Sequence, residues 1–400
     1  MIVLVANLGS TSFKYKLFDI DRAGTTETVL AQGDADRIGQ GRSTWSVTAE
    51  EYTRNGEVDL EDHGEAIDLH LHELVQSKAI TAMTDVEAIG FKAVHGGPIS
   101  KPIQVDDQVL EVMTQFAEVA PQHNPPYIDA MRAFMERLPG IPQVAAFETA
   151  FHQTIPMARQ VYGIPAAWIE DHGMRRYGFH GASHCYIATR MAQIAPEAKR
   201  VISCHLGGSC SICAIQDRQS VANSFGMTAQ TGVLHASRVG DFDAFAILQL
   251  LKSGFDLDTI WQQLGKEGGL KGLSGVSADM REVEQAAHAG NERAKLAVDA
   301  FVESVKHYIG AYLAILNGVD ALVFTGGIGE NGRDIRTAIC KNLDFAGIEI
   351  DPDKNMTTPT GTGNQESQIH SGKVAVWIIP TNEELIVARQ TVQVLSKQAA

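Results

Sequence analysis

Five cysteines in 400 residues are odd in number and too sparse for a disulfide-built scaffold, which points to a reducing compartment. No apolar run is long enough to span a bilayer. The opening residues Met1 to Ala6 are apolar but carry no basic segment and run straight into a polar turn, so no signal peptide is expected there. Basic residues are also scarce, 33 against 48 acidic ones, and the formal charge of -15 opposes non-specific binding to nucleic acid or an anionic membrane. An anionic substrate would therefore need a locally positive pocket. What remains is an ordinary globular composition, 44% hydrophobic and 20% charged, in a chain long enough for two to three domains. The expectation is a cytoplasmic protein with no nucleic-acid or membrane partner.

The N-terminus reads as a hairpin: apolar Ile2 to Ala6, a small-residue turn Asn7 to Ser12, then alternating Phe13 to Asp19. The design recurs 198 residues later, with Val201 to Cys204, the turn His205 to Ser209, and Cys210 to Asp217. Leu8/Leu206, Gly9/Gly207, Ser12/Cys210 and Asp19/Asp217 fall in step. One repeat of half the chain length predicts two related α/β lobes. Further strands are expected at Thr28 to Gln32, Ala88 to His95, Gln143 to Phe147 and Ala321 to Thr325. Helices are expected at Glu65 to Lys78, Pro126 to Arg137, Asp241 to Ser253 and Asn291 to Leu316. Strand pairs followed by α/β crossovers argue for mixed sheets covered by helices. A lobe boundary is placed near Glu148, and Thr357 to Gly363 reads as a surface loop.

Small-residue turns present consecutive backbone N–H groups that can bind phosphate oxygens. A third glycine cluster, Thr325 to Gly332, follows an apolar strand and precedes an expected helix at Arg333 to Asn342. Its Gly327, Gly329 and Gly332 match G-x-G-x-x-G, with Glu349 and Asp351 about 20 residues on, so a nicotinamide dehydrogenase competes with an ATP site. Two other patterns have bland competitors. His180 and His184, at i and i+4, could bind metal but lack the H-E-x-x-H pattern. Cys210 and Cys213 form a C-x-x-C, yet on a strand they would point to opposite faces, as packing residues do.

Seven blocks together resemble the acetate kinase family, within the acetate and sugar kinase, Hsc70 and actin superfamily. They are Asn7 to Lys14, Val94 to Gly97, His123 to Pro125, Phe147 to His152, Tyr177 to His184, Phe324 to Asn331 and Thr381 to Glu384. The resemblance implies two duplicated ribonuclease H-like lobes, 1–148 on the carboxylate and magnesium side and 149–384 on the nucleotide side. A final helix at 385–400 returns to the first lobe, and the active site lies in the cleft between lobes. It also implies a homodimer and the reaction ATP + acetate, or another short carboxylate, to ADP and an acyl phosphate, by direct in-line transfer with Mg2+ or Mn2+.

Position by position, the resemblance makes Asn7 and Glu383 the metal pair and His180 and Arg238 the groups on the phosphoryl in flight, where two donors stabilise charge on its equatorial oxygens. Glu148 takes the catalytic carboxylate's place. Lys14, His205, Leu206, Gly207, Gly208, Ser209, Asp279, Met280, Arg281, Gly326, Gly327, Ile328, Gly329, Glu330 and Asn331 fall where the family holds nucleotide. Lys92, Val94, Gln122, Phe179 and Ala229 form the acceptor site, and the departures from the family pattern cluster there. Lys92 stands for an arginine, so a bidentate fork becomes a point charge; Glu148 stands for an aspartate, Gln122 for a leucine and Ala229 for a proline, while in the second phosphate turn Gly208-Ser209 stands for Asn-Gly. A carboxylate is already ionised at neutral pH and needs no general base, so Glu148 is expected to organise metal and water. The alternatives are a propionate or butyrate kinase, a non-catalytic nucleotide-binding homologue, and the dehydrogenase.

Overall fold

Alternating burial along the first strand shows how the first sheet is covered. In β1 (Ile2–Leu8), Leu4, Ala6 and Leu8 belong to one hydrophobic cluster, while Val3 and Val5 are equally buried but outside it. Both faces of the strand are therefore roofed, as a sheet flanked by helices requires. The structure, a computed structural model, describes residues 1–118, 123–359, 361 and 365–398. Gln122 and parts of the expected surface loop (360, 362 and 363) lie outside the described residues.

The chain divides into two units, Met1–Ala150 with Asn382–Ala400, and Phe151–Thr381. The first adds β2 (Ser12–Ile20), β3 (Glu27–Asp36), β4 (Arg42–Ala49), β5 (Tyr52–Asp59), β6 (Ala88–Phe91), β7 (Ile103–Gln104) and β8 (Gln143–Ala145), in the sheet order β5-β4-β3-β2-β1-β6-β8-β7. Helices His63–Gln76 and Asn124–Arg137 supply the main cluster with residues such as Leu71, Leu74, Met131 and Phe134. The helix Glu383–Gln398 packs on β1 and β6, burying Leu385, Val387, Ala388 and Val392. Gly90 makes that approach possible, because a Cβ there would lie 2.5 Å from Thr391 Oγ1 and 2.9 Å from Val387 Cγ1. The exposed edge strand β5 is tied down by buried Glu73, whose carboxylate accepts from Tyr52 Oη at 2.6 Å and Arg54 Nη1 at 2.8 Å.

The second unit contains β9 (Arg200–Leu206), β10 (Cys210–Gln216), β11 (Gln219–Asn223), β12 (Ala321–Thr325), β13 (Ser367–Gln368) and β14 (Ala375–Ile378), ordered β11-β10-β9-β12-β14-β13. One face packs against helix Glu292–Leu316 through Phe301, Val305 and Ile309, the other against helix Gly181–Ile194 through Ile187 and Met191. Cys210 belongs to the first of these clusters and Cys213 to the second, so the C-x-x-C residues do sit on opposite faces.

The two sheets share a plan. In each, an antiparallel three-stranded meander (β1-β2-β3; β9-β10-β11) is followed by two parallel strands (β6 and β8; β12 and β14) and an antiparallel edge (β7; β13). The first sheet adds β4 and β5. The fold is thus α/β with two mixed, duplicated sheets flanked by helices.

Three sequence expectations are corrected. The repeat slips by one residue past the turn: Leu8 pairs with Phe13, but Leu206 pairs with Cys210, since the second turn is one residue shorter. The strand expected to reach His95 stops at Phe91, although Lys92 N still donates to Ala6 O at 3.2 Å. Residues Gly326–Asn331 are themselves a short helix rather than a loop before one, with Gly332 between it and the helix Arg333–Cys340. That placement does not match a dinucleotide fingerprint, and Asp351 is already used, accepting from Asp353 N and Lys354 N at the start of the helix Pro352–Thr357.

Candidate functional site

In the second unit a cavity of about 820 Å³ is lined by Gly207 and Gly208, by Asp279, Met280 and Arg281, and by Gly327, Ile328 and Asn331. These come from three separate stretches: the β9–β10 turn, the start of helix Met280–His288, and the short helix after β12. Glycine in the turn leaves backbone N–H groups accessible, and nothing lies within 4 Å of a Cβ built on Gly208 or Gly327. The walls are held by their own side chains. Asn331 Nδ2 donates to Gly327 O at 2.8 Å, Asn331 Oδ1 accepts from Gly361 N at 2.8 Å, and Glu330 Oε1 accepts from Gly326 N at 2.9 Å. Gly326 takes φ +75° with the Leu206 backbone pressed against it. Buried Arg336 donates to the carbonyls of Gly329 and Glu330 (2.8 and 2.9 Å), steadying the end of the same short helix. Arg281 grips Asp279 through two nitrogens, and this hydrogen bonding lowers the Asp279 pKa.

His180 begins helix Gly181–Ile194 in a left-handed conformation, φ +57°, which an L residue adopts only where its surroundings enforce it. Its ring lies 4.1 Å from the His205 ring and 5.2 Å from that of Phe225, and Nδ1 is 2.8 Å from Ser211 Oγ. His205 Nδ1 is 2.8 Å from Ser183 Oγ, which in turn accepts from Thr381 Oγ1 at 3.0 Å. Arg238 donates through Nη1 to the Ala229 carbonyl, and burial lowers its pKa. His235 Nδ1 accepts from Cys210 N at 3.0 Å; burial first, then the Arg238 charge, press its pKa to about 3, so it stays neutral.

The first unit holds a different cluster. Lys92 Nζ lies 2.5 Å from Glu383 Oε2. Burial works against the ammonium, but the charges of Glu383 and then Glu148 outweigh it and raise the Lys92 pKa. Glu148, past the end of β8, is buried, its backbone N donating to Ala93 O at 2.9 Å. Tyr127 Oη donates to Asn7 Oδ1 at 3.1 Å and accepts from Leu8 N at 3.1 Å. Desolvation, the largest effect on that phenol, raises its pKa, and Lys92, Glu148 and Glu383 all act on it. Lys14 pairs across the sheet with Asn7, and Lys16 Nζ reaches Glu384 Oε2 at 3.2 Å.

The chain matches the model of the acetokinase family over residues 2–389. This chain belongs to that family. It is 41% identical over 408 residues to the acetate kinase of Dictyoglomus thermophilum, with 100% of each covered. The structure resembles that of Porphyromonas gingivalis acetate kinase (TM-score 0.88, 36% identity, 98% of this chain and 99% of that one). It also resembles a propionate kinase from Francisella tularensis (TM-score 0.89, 34% identity, 98% and 99% covered). Family membership makes the chain a kinase that phosphorylates a carboxylate, with ATP and a divalent metal as its companions, and removes the dehydrogenase reading.

Against this background the residues singled out in the sequence sort into groups. Gly207, Gly208, Asp279, Met280, Arg281, Gly327, Ile328 and Asn331 meet at one cavity. Leu206, Gly326, Gly329 and Glu330 shape that wall through their backbone or local bonds, while the His205 ring lies tilted against that of His180. Ser209 lies in the turn beside Gly208, and exposed Lys14 belongs to the first unit. Asn7, Lys92, Glu148 and Glu383 group in the first unit, where Val94 is half-buried against the core. Phe179 and Ala229 belong to the second. Sequence reading missed Tyr127, Ser183, Ser203, Ser211 and Arg336. Only Ser203 and Ser211 left a signal: a hydroxyl inside a largely apolar strand must find a partner when buried.

Proposed function

We propose that this chain transfers the γ-phosphoryl of ATP to acetate or a similarly short carboxylate, giving ADP and the acyl phosphate. The observation that carries this reading is the second-unit cavity, where three stretches assigned to nucleotide by family resemblance come together. Backbone N–H groups of Gly207 and Gly208 bind phosphate oxygens, and the cavity takes the adenosine. His180 and Arg238 donate to the phosphoryl oxygens as charge spreads over them.

The first unit supplies the acceptor and metal side. Lys92 holds the incoming carboxylate by charge, beside half-buried Val94. Asn7 Oδ1 with the carboxylates of Glu383 and Glu148 forms a set of hard oxygen donors, which suits Mg2+ or Mn2+. Tyr127, bonded to Asn7 and to the backbone of Leu8, keeps the amide oxygen in place. A divalent ion held there would neutralise phosphate charge. Phe179 and Ala229 complete the acceptor assignment, with Gln122.

ATP turnover coupled to ADP detection, run with acetate, propionate, butyrate and glycolate and with hydroxylamine trapping of acyl phosphate, tests the reading. Acetate-dependent ADP and a hydroxamate are expected, with appreciable activity on propionate, because Ala229 leaves more room than a proline. ATP binding with no acyl phosphate from any acid would instead fit a non-catalytic homologue.

A homodimer in the cytoplasm completes the reading. No helix among the described residues is long and apolar enough to cross a membrane. The helices Ala244–Lys252 and Leu257–Lys266 expose Phe245 (76%), Leu248, Leu257 (65%) and Trp261. An apolar patch of that kind suits a second copy. Light scattering should give twice the chain mass for the wild type and a shift toward monomer for Phe245→Asp/Leu248→Asp. A monomeric wild type would remove the assignment.

A further inference from the structure

Ser211 and Ser203 lie on neighbouring strands of a largely apolar hairpin, and both are fully buried. Ser211 Oγ lies 2.8 Å from His180 Nδ1 and 2.8 Å from His184 Nε2. On its other side, His184 Nδ1 lies 2.9 Å from Ser203 Oγ. Four side chains thus form one line: Ser203, His184, Ser211, His180. Fully buried His184 cannot carry a charge cheaply, and burial, followed by the fields of His152 and His205, holds its pKa well below the ordinary value.

Proton counting leaves few orderings. A hydroxyl has one hydrogen, and a neutral imidazole has one N–H. If Ser203 donates to His184 Nδ1, then His184 Nε2–H donates to Ser211, and the Ser211 hydrogen goes to His180 Nδ1. His180 must then carry its own proton on Nε2. If the line runs the other way, His180 donates from Nδ1, and its Nε2 either presents a lone pair or belongs to an imidazolium. A lone pair facing an anionic phosphoryl oxygen repels it, whereas an Nε2–H binds it.

We propose that Ser211 and His184 are positioning residues that hold His180 as the neutral Nε2–H tautomer, a form that donates to the transferring phosphoryl group. The proposal rests on the assignment of His180 to that group. It adds what the i, i+4 spacing of His180 and His184 is for: the second histidine sets the proton of the first through one shared serine, rather than sharing a metal with it.

The test is long-range 1H–15N correlation on the 15N-histidine-labelled full chain, with His180→Ala to assign the signals, beside steady-state kinetics of Ser211→Ala and Ser211→Thr. His180 in the wild type should show an unprotonated Nδ1 and a protonated Nε2. Ser211→Ala should mix the tautomers and lower kcat about tenfold, the worth of one well-placed hydrogen bond, while the KM for ATP stays nearly constant. Ser211→Thr, which keeps the hydroxyl, should restore kcat. A protonated Nδ1 in the wild type, or unchanged kcat in Ser211→Ala, overturns the proposal. The wild-type spectrum decides the ordering even if a variant folds poorly. Full turnover in His180→Ala would instead sink the phosphoryl assignment and leave the ordering to the spectrum, so the two failures are distinguishable.

Discussion

Replacing Arg238 or His180 by alanine is expected to lower kcat by about 10²-fold or more, the usual loss on removing a preorganised donor from a transition state. Nucleotide affinity should change far less. The cavity lined by Gly207, Gly208, Asp279 to Arg281, Gly327, Ile328 and Asn331 contains neither residue, so the ground-state contacts of ATP there remain. Both side chains are set in advance. His180 is fixed by its left-handed backbone, its close ring contact with His205 and its bond to Ser211. Arg238 donates to the Ala229 carbonyl, a neutral acceptor that orients the guanidinium without cancelling its charge. A donor already oriented loses little on reaching the transition state, and that is where its energy is realised. Steady-state kinetics beside calorimetric titration of ADP separates the two effects. Equal losses in kcat and affinity would mean uniform binding, and wild-type turnover would remove the residue from the mechanism.

Much of the fold was legible because it is repetitive. The strand, small-residue turn and strand of residues 2–19 return near residue 200, and β12 (Ala321–Thr325) was visible as an unbroken apolar run with the bounds the structure shows. Short, mixed-polarity strands were harder: β5 is an exposed edge with little alternation, and β7 and β13 have two residues each, below the length at which a period can be recognised. The one-residue slip between the hairpins was hidden because matching letters across a turn says nothing of how many residues the turn uses. At the site, glycines and charged residues announce themselves, but a supporting residue does not. Tyr127 looks like any apolar position of an amphipathic helix until its hydroxyl is seen between Asn7 and Leu8. Arg336 looks like a surface arginine, yet it is buried under the short helix that walls the cavity. Their roles arise from chain segments far apart in sequence, which no local pattern records.

Lys92 should prove decisive for stability and for the acceptor at once. Its ammonium sits 2.5 Å from Glu383, with side-chain exposures of 19% and 11%, and Glu148 adds a second negative charge to its surroundings. Lys92→Met removes the positive charge and leaves two poorly solvated carboxylates facing each other's field. Breaking a buried pair from one side costs about 3–5 kcal/mol, and the residual exposure here favours about 3. The melting temperature should fall, and Mg2+ should recover part of it by supplying positive charge to the same oxygens. A loss due to packing alone would not respond to the ion. Acetate-dependent turnover should fall as well, because the carboxylate loses its counter-charge. Lys92→Arg has the opposite expectation. The guanidinium keeps the charge on Glu383 and adds donors in a planar fork, which can hold both oxygens of acetate where the ammonium holds one. Gaining one or two good hydrogen bonds is worth roughly 1–3 kcal/mol, or about 5- to 150-fold in the Michaelis constant for acetate. Stability should stay close to that of the wild type. Thermal melts with and without Mg2+, and acetate kinetics for the three proteins, make the comparison. An unchanged melting temperature in Lys92→Met would show that the Glu383 pair carries no stability, and an unchanged acetate constant in Lys92→Arg would show that the lysine already does all that an arginine can do there.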